Sequence, residues 1–128
     1  MPKYKNKKVC VNGLYFDSKK EAKRFMQLLE KQQNGEISSL QTQVKYVLIP
    51  SQYESYERYG KKGQKLKDGR RMVERECAYI ADFVYIDNAS GETVVEDVKG
   101  YRRDGAYNIF TIKRKLMLYL KGIKVNEV

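Results

Sequence analysis

The chain contains no histidine. That absence removes the hydrolases and nucleases that work through an imidazole base, and with them a common nitrogen ligand for zinc. Cysteine is nearly as scarce. Cys10 and Cys77 are too few for a zinc cluster, and in a reducing compartment each is expected to be a small core residue. No apolar run approaches the roughly 20 residues of a membrane-spanning helix, and the lysine-rich amino terminus lacks the apolar segment of a signal peptide. A soluble, intracellular protein is expected. Acids are also outnumbered: 16 Asp and Glu stand against 26 Lys and Arg, a formal net charge of +10. Such an excess favours a polyanionic partner, most simply nucleic acid, although charge alone does not separate DNA from RNA or a membrane. The 128 residues suit one domain, burying roughly two thirds of the unfolded chain's surface. Any hydrolysis is left to carboxylates, lysine and an oxygen-loving metal.

Residues 1–8 carry Lys3, Lys5, Lys7 and Lys8 and no acid, which makes them a basic arm or a solubilising tail. Val9 to Phe16 reads as a short hairpin turned by Asn12-Gly13. Asp17 and Ser18 open a helix that runs to about Gln33 and stops at Asn34-Gly35. Its apolar stripe is Ala22, Phe25, Met26 and Leu29. Glu21 lies on the flank of that stripe. Either it completes a capping box with Ser18, which the local sequence favours, or it looks across at the sheet and joins a site. Ile37 to Ile49 alternates as a strand through Val44, Tyr46 and Leu48 and ends at Pro50. Residues 51–75 then lose all periodicity and read as a long irregular insertion. Eight basic and four acidic residues are interleaved there with Tyr53, Tyr56 and Tyr59. Lys61, Lys62, Lys65, Lys67, Arg70 and Arg71 suit phosphate contacts, and the tyrosines suit base stacking. The plain alternative is a solvated insertion.

Cys77 to Ile86 is the next strand, with Ala78, Ile80, Asp82 and Val84 on one face and Tyr79, Ala81, Phe83 and Tyr85 on the other. Asp82 is a lone acid in an apolar strand, a costly arrangement unless it is paired or holds a metal. Residues 87–91 turn the chain, and Glu92 to Lys99 returns beside it. Val95, Asp97 and Lys99 share one face of that strand, and Val94, Glu96 and Val98 the other. A carboxylate and an ammonium therefore project side by side. Pairing across the turn brings Asp82 and Asp97 to one end of adjacent strands, with a register the sequence does not reveal. A basic loop with Arg102 and Arg103 leads to a helix from about Ala106 to Leu120. Its apolar face is Ile109, Phe110, Leu116, Met117 and Leu120. Lys113 falls in the middle of that face, where it snorkels or, on the better reading, reaches the carboxylates or a bound phosphate. Ile123 to Val128 ends the chain as a short strand.

Helix, three strands, helix, strand, with acids on the first helix and on the second and third strands, resembles the PD-(D/E)XK nuclease superfamily. The closer resemblance is to a family of small phage-encoded endonucleases related to Holliday-junction resolvases. It rests on Tyr15-Phe16-Asp17-Ser18-Lys19-Lys20-Glu21-Ala22, Ala81-Asp82-Phe83, Glu96-Asp97-Val98-Lys99-Gly100 and Ile112-Lys113-Arg114-Lys115-Leu116. Nearly the whole chain is covered apart from the arm and residues 51–75. The resemblance implies an α/β fold with a restriction-endonuclease-like αβββαβ core: a mixed central sheet flanked by helices, an N-terminal hairpin and a basic insertion, all within a single nuclease domain over residues 1–128.

By the same resemblance, Asp82 and Asp97 are the two motif acids, Lys99 the motif lysine and Glu21 the helix-borne acid. Asp82, Asp97, Glu21 and the Val98 carbonyl would hold Mg²⁺ or Mn²⁺. Ala81 departs from the motif's Pro, and Asp97 from the Glu of many members. Glu96 is passed over because alternation puts Asp97, not Glu96, on the face of Lys99. The implied activity is metal-dependent hydrolysis of DNA phosphodiester bonds by a homodimer, in phage recombination or replication within the cytoplasm of a bacterial host. Arg102, Arg103, Lys113, Arg114, Lys115 and the 51–75 segment would hold the DNA backbone. None of them carries a base-reading signature, which favours branched DNA over a sequence-specific target. The rival reading is a nucleic-acid-binding accessory protein without catalysis, which has no need to gather Asp82, Asp97 and Lys99. Convergence of Asp82, Asp97 and Glu21 within metal-ligand reach of one point is the expectation that separates the two.

Overall fold

The computed structural model describes residues 8–99 and 105–128. The arm up to residue 7 and the stretch holding Arg102 and Arg103 lie outside the described residues. Asn12 and Gly13 both have positive φ (51° and 81°), the pattern of a tight hairpin turn that few residue types tolerate. They join β1 (Val9–Val11) to β2 (Leu14–Phe16). Cys10 is exposed on this hairpin and Cys77 half-buried. The core role expected for Cys10 is therefore corrected: Val9 and Val11 pack toward the core, and alternation sends Cys10 outward.

Ser18 caps α1 (Lys19–Gln33), its hydroxyl accepting the Glu21 N–H at 3.1 Å. The helix buries Glu21, Ala22, Phe25 and Leu28. Met26, placed in the stripe by the sequence reading, is 52% exposed. At 100° per residue it stands a full step off the Phe25 direction, whereas Glu21 and Leu28 fall within the buried arc.

The central sheet has the order β3 (Ile37–Ile49), β6 (Cys77–Asp87), β7 (Thr93–Asp97), β8 (Val125–Glu127). The first three strands are antiparallel neighbours and β7–β8 is parallel, with α2 (Gly105–Lys121) as the crossover. After the hairpin the order is helix, three sheet strands, helix, strand. This is the mixed α/β architecture expected from the sequence.

One face of the sheet packs on α1 through Phe16, Phe25, Leu28, Phe83 and Tyr85, where the Phe16 and Phe25 rings lie 4.9 Å apart. The other packs on α2 through Tyr79, Ala81, Val84, Val95, Phe110, Met117 and Val125. Tyr79 and Ala81 thus share a face with Val84, and Phe83 and Tyr85 take the opposite one, so the alternation read for this strand shifts by one residue at Asp82. Gln43, across from it between the pairs Thr42↔Phe83 and Val44↔Ala81, has φ 53°. Helix α2 buries only Phe110 and Met117 fully. Ile109 and Leu120, expected on its apolar face, are 56% and 48% exposed, because the helix meets the sheet along a narrow stripe.

Residues 51–75 are not irregular. β4 (Gln52–Tyr59) and β5 (Lys65–Glu74) form an antiparallel ribbon that prolongs the β3–β6 ladder. Ile49↔Cys77 and Gln52↔Glu74 keep the same register across Pro50. Most of its residues are exposed on both faces, so no hydrophobic period marks it in the sequence. The irregular insertion expected over residues 51–75 is therefore corrected to an ordered ribbon.

Burial ranks the α1 side chains differently from the periodicity. Leu28→Ala should lower stability by about 2–5 kcal/mol, and Met26→Ala by no more than about 0.5 kcal/mol. Urea unfolding of both variants measures the difference; equal losses would contradict the burial pattern.

Candidate active site

The site lies where two ladders part. The β6–β7 ladder ends at Phe83↔Glu96, while β6 continues to Cys77 paired with β3 alone. Asp82 and Asp97 stand one step beyond the last pair. There the Asp82 Oδ2 accepts the Val98 N–H at 2.8 Å. The carboxylate takes the place of a backbone partner, and β7 ends at Asp97 rather than at Lys99. Beyond the fork the chain is steadied from its other side, by Val128 N–H to the Asp97 carbonyl (3.0 Å) and Lys99 N–H to the Val128 carbonyl (3.1 Å).

Gln43 links Asp82 to the helix. Its side-chain amide donates to Glu21 Oε1 at 3.1 Å and to Asp82 Oδ1 at 3.4 Å. A positive φ at a non-glycine residue costs on the order of 1 kcal/mol or more, and such residues gather at functional sites. Of the two sequence readings of Glu21, the capping box is present only in its Ser18 half, and the carboxylate accepts from Gln43 instead of bonding back to Ser18. Its backbone N–H serves the cap and its buried carboxylate faces the sheet. Burial, then the negative charge of Asp82, pushes the Glu21 carboxyl up to about 7. Burial likewise pushes Asp82 up to about 6, with Asp97 adding to the rise and the Val98 N–H opposing it.

Asp97 is 4% exposed. Its Oδ1 accepts the Tyr79 hydroxyl at 3.0 Å. Burial and the Asp97 charge push the Tyr79 hydroxyl pKa up, which keeps it a neutral donor. The Asp97 Oδ2 lies 2.6 Å from Lys99 Nζ but makes no hydrogen bond of acceptable geometry. The Lys99 ammonium sits 4.0 Å above the Phe110 ring, and its carbonyl accepts a hydrogen bond from Lys20 Nζ. A cleft of about 270 Å³ opens here, lined by Tyr79, Asp97, Lys99, Phe110 and Lys113 among others. Lys113 lines the same cleft as the acid–lysine pair, with no ion pair to either carboxylate among the described residues.

Glu96 belongs to the other face. Arg24 grips it with two bonds, Nε at 2.8 Å and Nη2 at 2.6 Å, and the Tyr85 hydroxyl donates to it as well. This is a buried structural ion pair between α1 and the sheet.

Other expected residues fall elsewhere. Arg114 pairs with Glu127 at 2.8 Å. With Lys115 it lines a second cleft on the β8 side of α2. Lys61, Lys62, Lys65, Lys67, Arg70 and Arg71 belong to the ribbon. Gln43, Tyr79 and Lys20 are contacts the sequence reading missed. Only Gln43 left a trace there, as a polar residue in the middle of an alternating strand.

The expected convergence of Asp82, Asp97 and Glu21 on one point is not met. Among the described residues no three acid, cysteine or histidine side chains close around one cation-sized point. Glu21 reaches Asp82 through Gln43, and Asp82 adjoins Asp97 across the fork. What is present still suits a hard divalent cation. Asp97 Oδ2 is a buried oxygen without a hydrogen bond, beside a second carboxylate whose charge is destabilised. Both are the oxygen donors that Mg²⁺ or Mn²⁺ takes.

Two consequences can be measured. Glu21 and Asp82 are held above their ordinary values of 4.5 and 3.8, so the folded chain binds more protons than the unfolded one between about pH 4 and pH 7. Their contribution to stability is present below that window and lost as pH rises through about 6 and 7. In thermal unfolding with EDTA, Glu21→Gln should match wild type near pH 4, exceed it increasingly up to about pH 7 and keep that margin at pH 8. A constant offset would contradict the burial of Glu21. Glu96→Ala, which strands Arg24, should lower stability by about 3 kcal/mol, as read by urea unfolding.

Neither a curated protein nor a solved structure matches the chain. A family model described as "Protein of unknown function (DUF1064)" matches residues 1–126. The chain therefore belongs to the DUF1064 family.

Proposed function

We propose that this protein is a metal-dependent endonuclease that hydrolyses DNA phosphodiester bonds, with branched DNA as its preferred substrate. The observation that carries the reading is the buried Asp97 carboxylate 2.6 Å from Lys99 Nζ, one step across the strand fork from Asp82. An ordinary ion pair needs neither the second acid nor the open cleft beside it. Asp82 and Asp97 would hold Mg²⁺ or Mn²⁺, with the carbonyl of Val98, next to Asp97 in sequence, and with Glu21 linked through Gln43. Bound there, the cation would supply counter-charge to the phosphorane and acidify a nucleophilic water.

The chain's own residues do the rest. Tyr79 fixes the Asp97 carboxylate by its hydrogen bond. Lys99 orients the water and offsets charge on the phosphate oxygens. Glu21, titrating near neutrality, is suited to accept a proton at the working pH. Lys113, on the wall of the cleft, holds a neighbouring phosphate. Two copies acting together would cut two strands of a junction symmetrically.

The test is cleavage of a four-way junction and a matched linear duplex with Mg²⁺ or Mn²⁺, beside EDTA controls. Asp97→Asn should cut at least about 100-fold more slowly while binding DNA within about twofold of wild type. Tight binding without cutting, in every combination of metal and substrate, would favour the non-catalytic accessory role.

A further inference from the structure

We propose that the β4–β5 ribbon is a duplex-DNA arm that enters the major groove on the flank of the cleavage site. This inference rests on the nuclease reading for its substrate class and goes beyond it in naming a groove-reading element. The ribbon packs against little else, being exposed along nearly its whole length. Such a ribbon needs internal support, and the cross-strand stacks supply it. The Arg70 guanidinium lies 4.0 Å from the Tyr53 ring centroid and that of Arg71 4.6 Å from the Tyr56 ring. Arg71 also pairs with Glu54 at 2.8 Å. Tyr56 packs against Gly69, where a Cβ would come within 2.3 Å of the ring. The Gly69 position is therefore closed to any side chain unless that ring moves. The turn is fixed by Gly60 N–H to the Gln64 carbonyl (2.8 Å) and Gly63 N–H to the Gly60 carbonyl (3.0 Å).

The occupant follows from charge and shape. The distal part, residues 57–68, holds Arg58, Lys61, Lys62, Lys65 and Lys67 against Glu57 and Asp68. Of these cations only Lys65 has an ion pair among the described residues, to Glu57 at 3.8 Å. A second copy of a chain with net charge +10 is a poor match for that tip, and a polyanion a good one. Single-strand binders stack bases on open rings, but here two tyrosine faces are already covered by guanidinium groups. A two-stranded ribbon does fit the B-DNA major groove, about 12 Å wide.

The ribbon is also tied to the site along the chain, since β5 ends at Glu74 and β6, which carries Asp82, begins at Cys77. From Asp82 the ribbon spans at most about 25 to 65 Å of extended strand. That distance corresponds to roughly one to two turns of duplex.

The experiment measures anisotropy in EDTA with a 30-bp duplex, a 10-bp duplex and a 30-nucleotide single strand. One variant replaces residues 54–71 with Asn-Gly, joining Tyr53 to Met72, which already face each other. The other carries Lys61→Ala and Lys62→Ala, which leave the ribbon's stacks intact. The shortened chain should bind the 30-bp duplex at least tenfold more weakly and the other two ligands within about twofold of the full chain. The double variant should lower the slope of log K against log salt by about 1.8, at 0.9 per phosphate contact. Unchanged duplex affinity in both variants would overturn the proposal, as would equal losses on duplex and single strand. So would a dimer that sediments as a monomer once the ribbon is shortened while duplex affinity holds. Cleavage with Mn²⁺ is scored separately: no cutting by either chain, with ribbon-dependent duplex binding, would remove the nuclease reading and leave the arm.

Discussion

The hydrogen bond from Val98 N–H to Asp82 Oδ2 is the contact on which the candidate site depends. Two antiparallel strands cannot separate inside a sheet without stranding backbone donors, and a buried donor left unpaired costs about 1–3 kcal/mol. Asp82 meets that need with a side chain, so β7 can leave β6 at the point where the acids stand. The same contact supplies hydrogen-bond stabilisation to a carboxylate that burial opposes. Backbone geometry and site electrostatics are therefore one problem with one residue at its centre. Replacing Asp82 would loosen the fork as well as remove a carboxylate from the candidate site.

The two faces of β7 have been given different tasks. On the α1 side Glu96 is saturated, with two bonds from Arg24 and one from Tyr85. On the α2 side Asp97 has one neutral donor, Tyr79, and one ammonium placed outside hydrogen-bond geometry. Adjacent residues in sequence thus occupy different environments, Glu96 held by three hydrogen bonds and Asp97 by one hydrogen bond and an ion pair. A saturated buried ion pair has little left to offer a ligand, whereas a carboxylate oxygen with spare capacity beside an open cleft has a great deal.

What was legible in the sequence follows from where the chain is regular. β7 is paired with β6 through Glu96 and with β8 through Asp97, so simple alternation separated Asp97 and Lys99 from Glu96. On β6 the same rule failed at Asp82, because the left-handed backbone at Gln43 accompanies a shift of face, and glutamine gives no advance sign of that conformation. The ribbon was invisible for a different reason. Period-two hydrophobicity is the trace of one buried face, and β4 and β5 have none. Their order comes from Tyr–Arg stacking across strands, which is apparent only once the pairing is known. Glu21 divided two readings because its backbone and side chain do separate jobs, each visible only from its own partner.

The distribution of charge gives these features a common logic. The net charge is +10, yet the fork itself gathers Glu21, Asp82 and Asp97, and two of these carboxyls are raised by burial and mutual repulsion. Lys113 stands on the cleft wall and Lys99 beside Asp97 at this acidic centre, and the cations of the ribbon lie farther out along the strands. A phosphate approaching the bare fork meets repulsion, so the surrounding cations must first hold the polyanion in place. A divalent cation would remove the repulsion at the centre and leave the basic surround unchanged. On the proposed function, backbone binding and metal binding are then separable: the first tracks ionic strength, the second the protonation of Glu21 and Asp82. The fold makes that separation possible by carrying both on β6 and its continuation, with the acid-bearing fork at one end and the basic ribbon at the other.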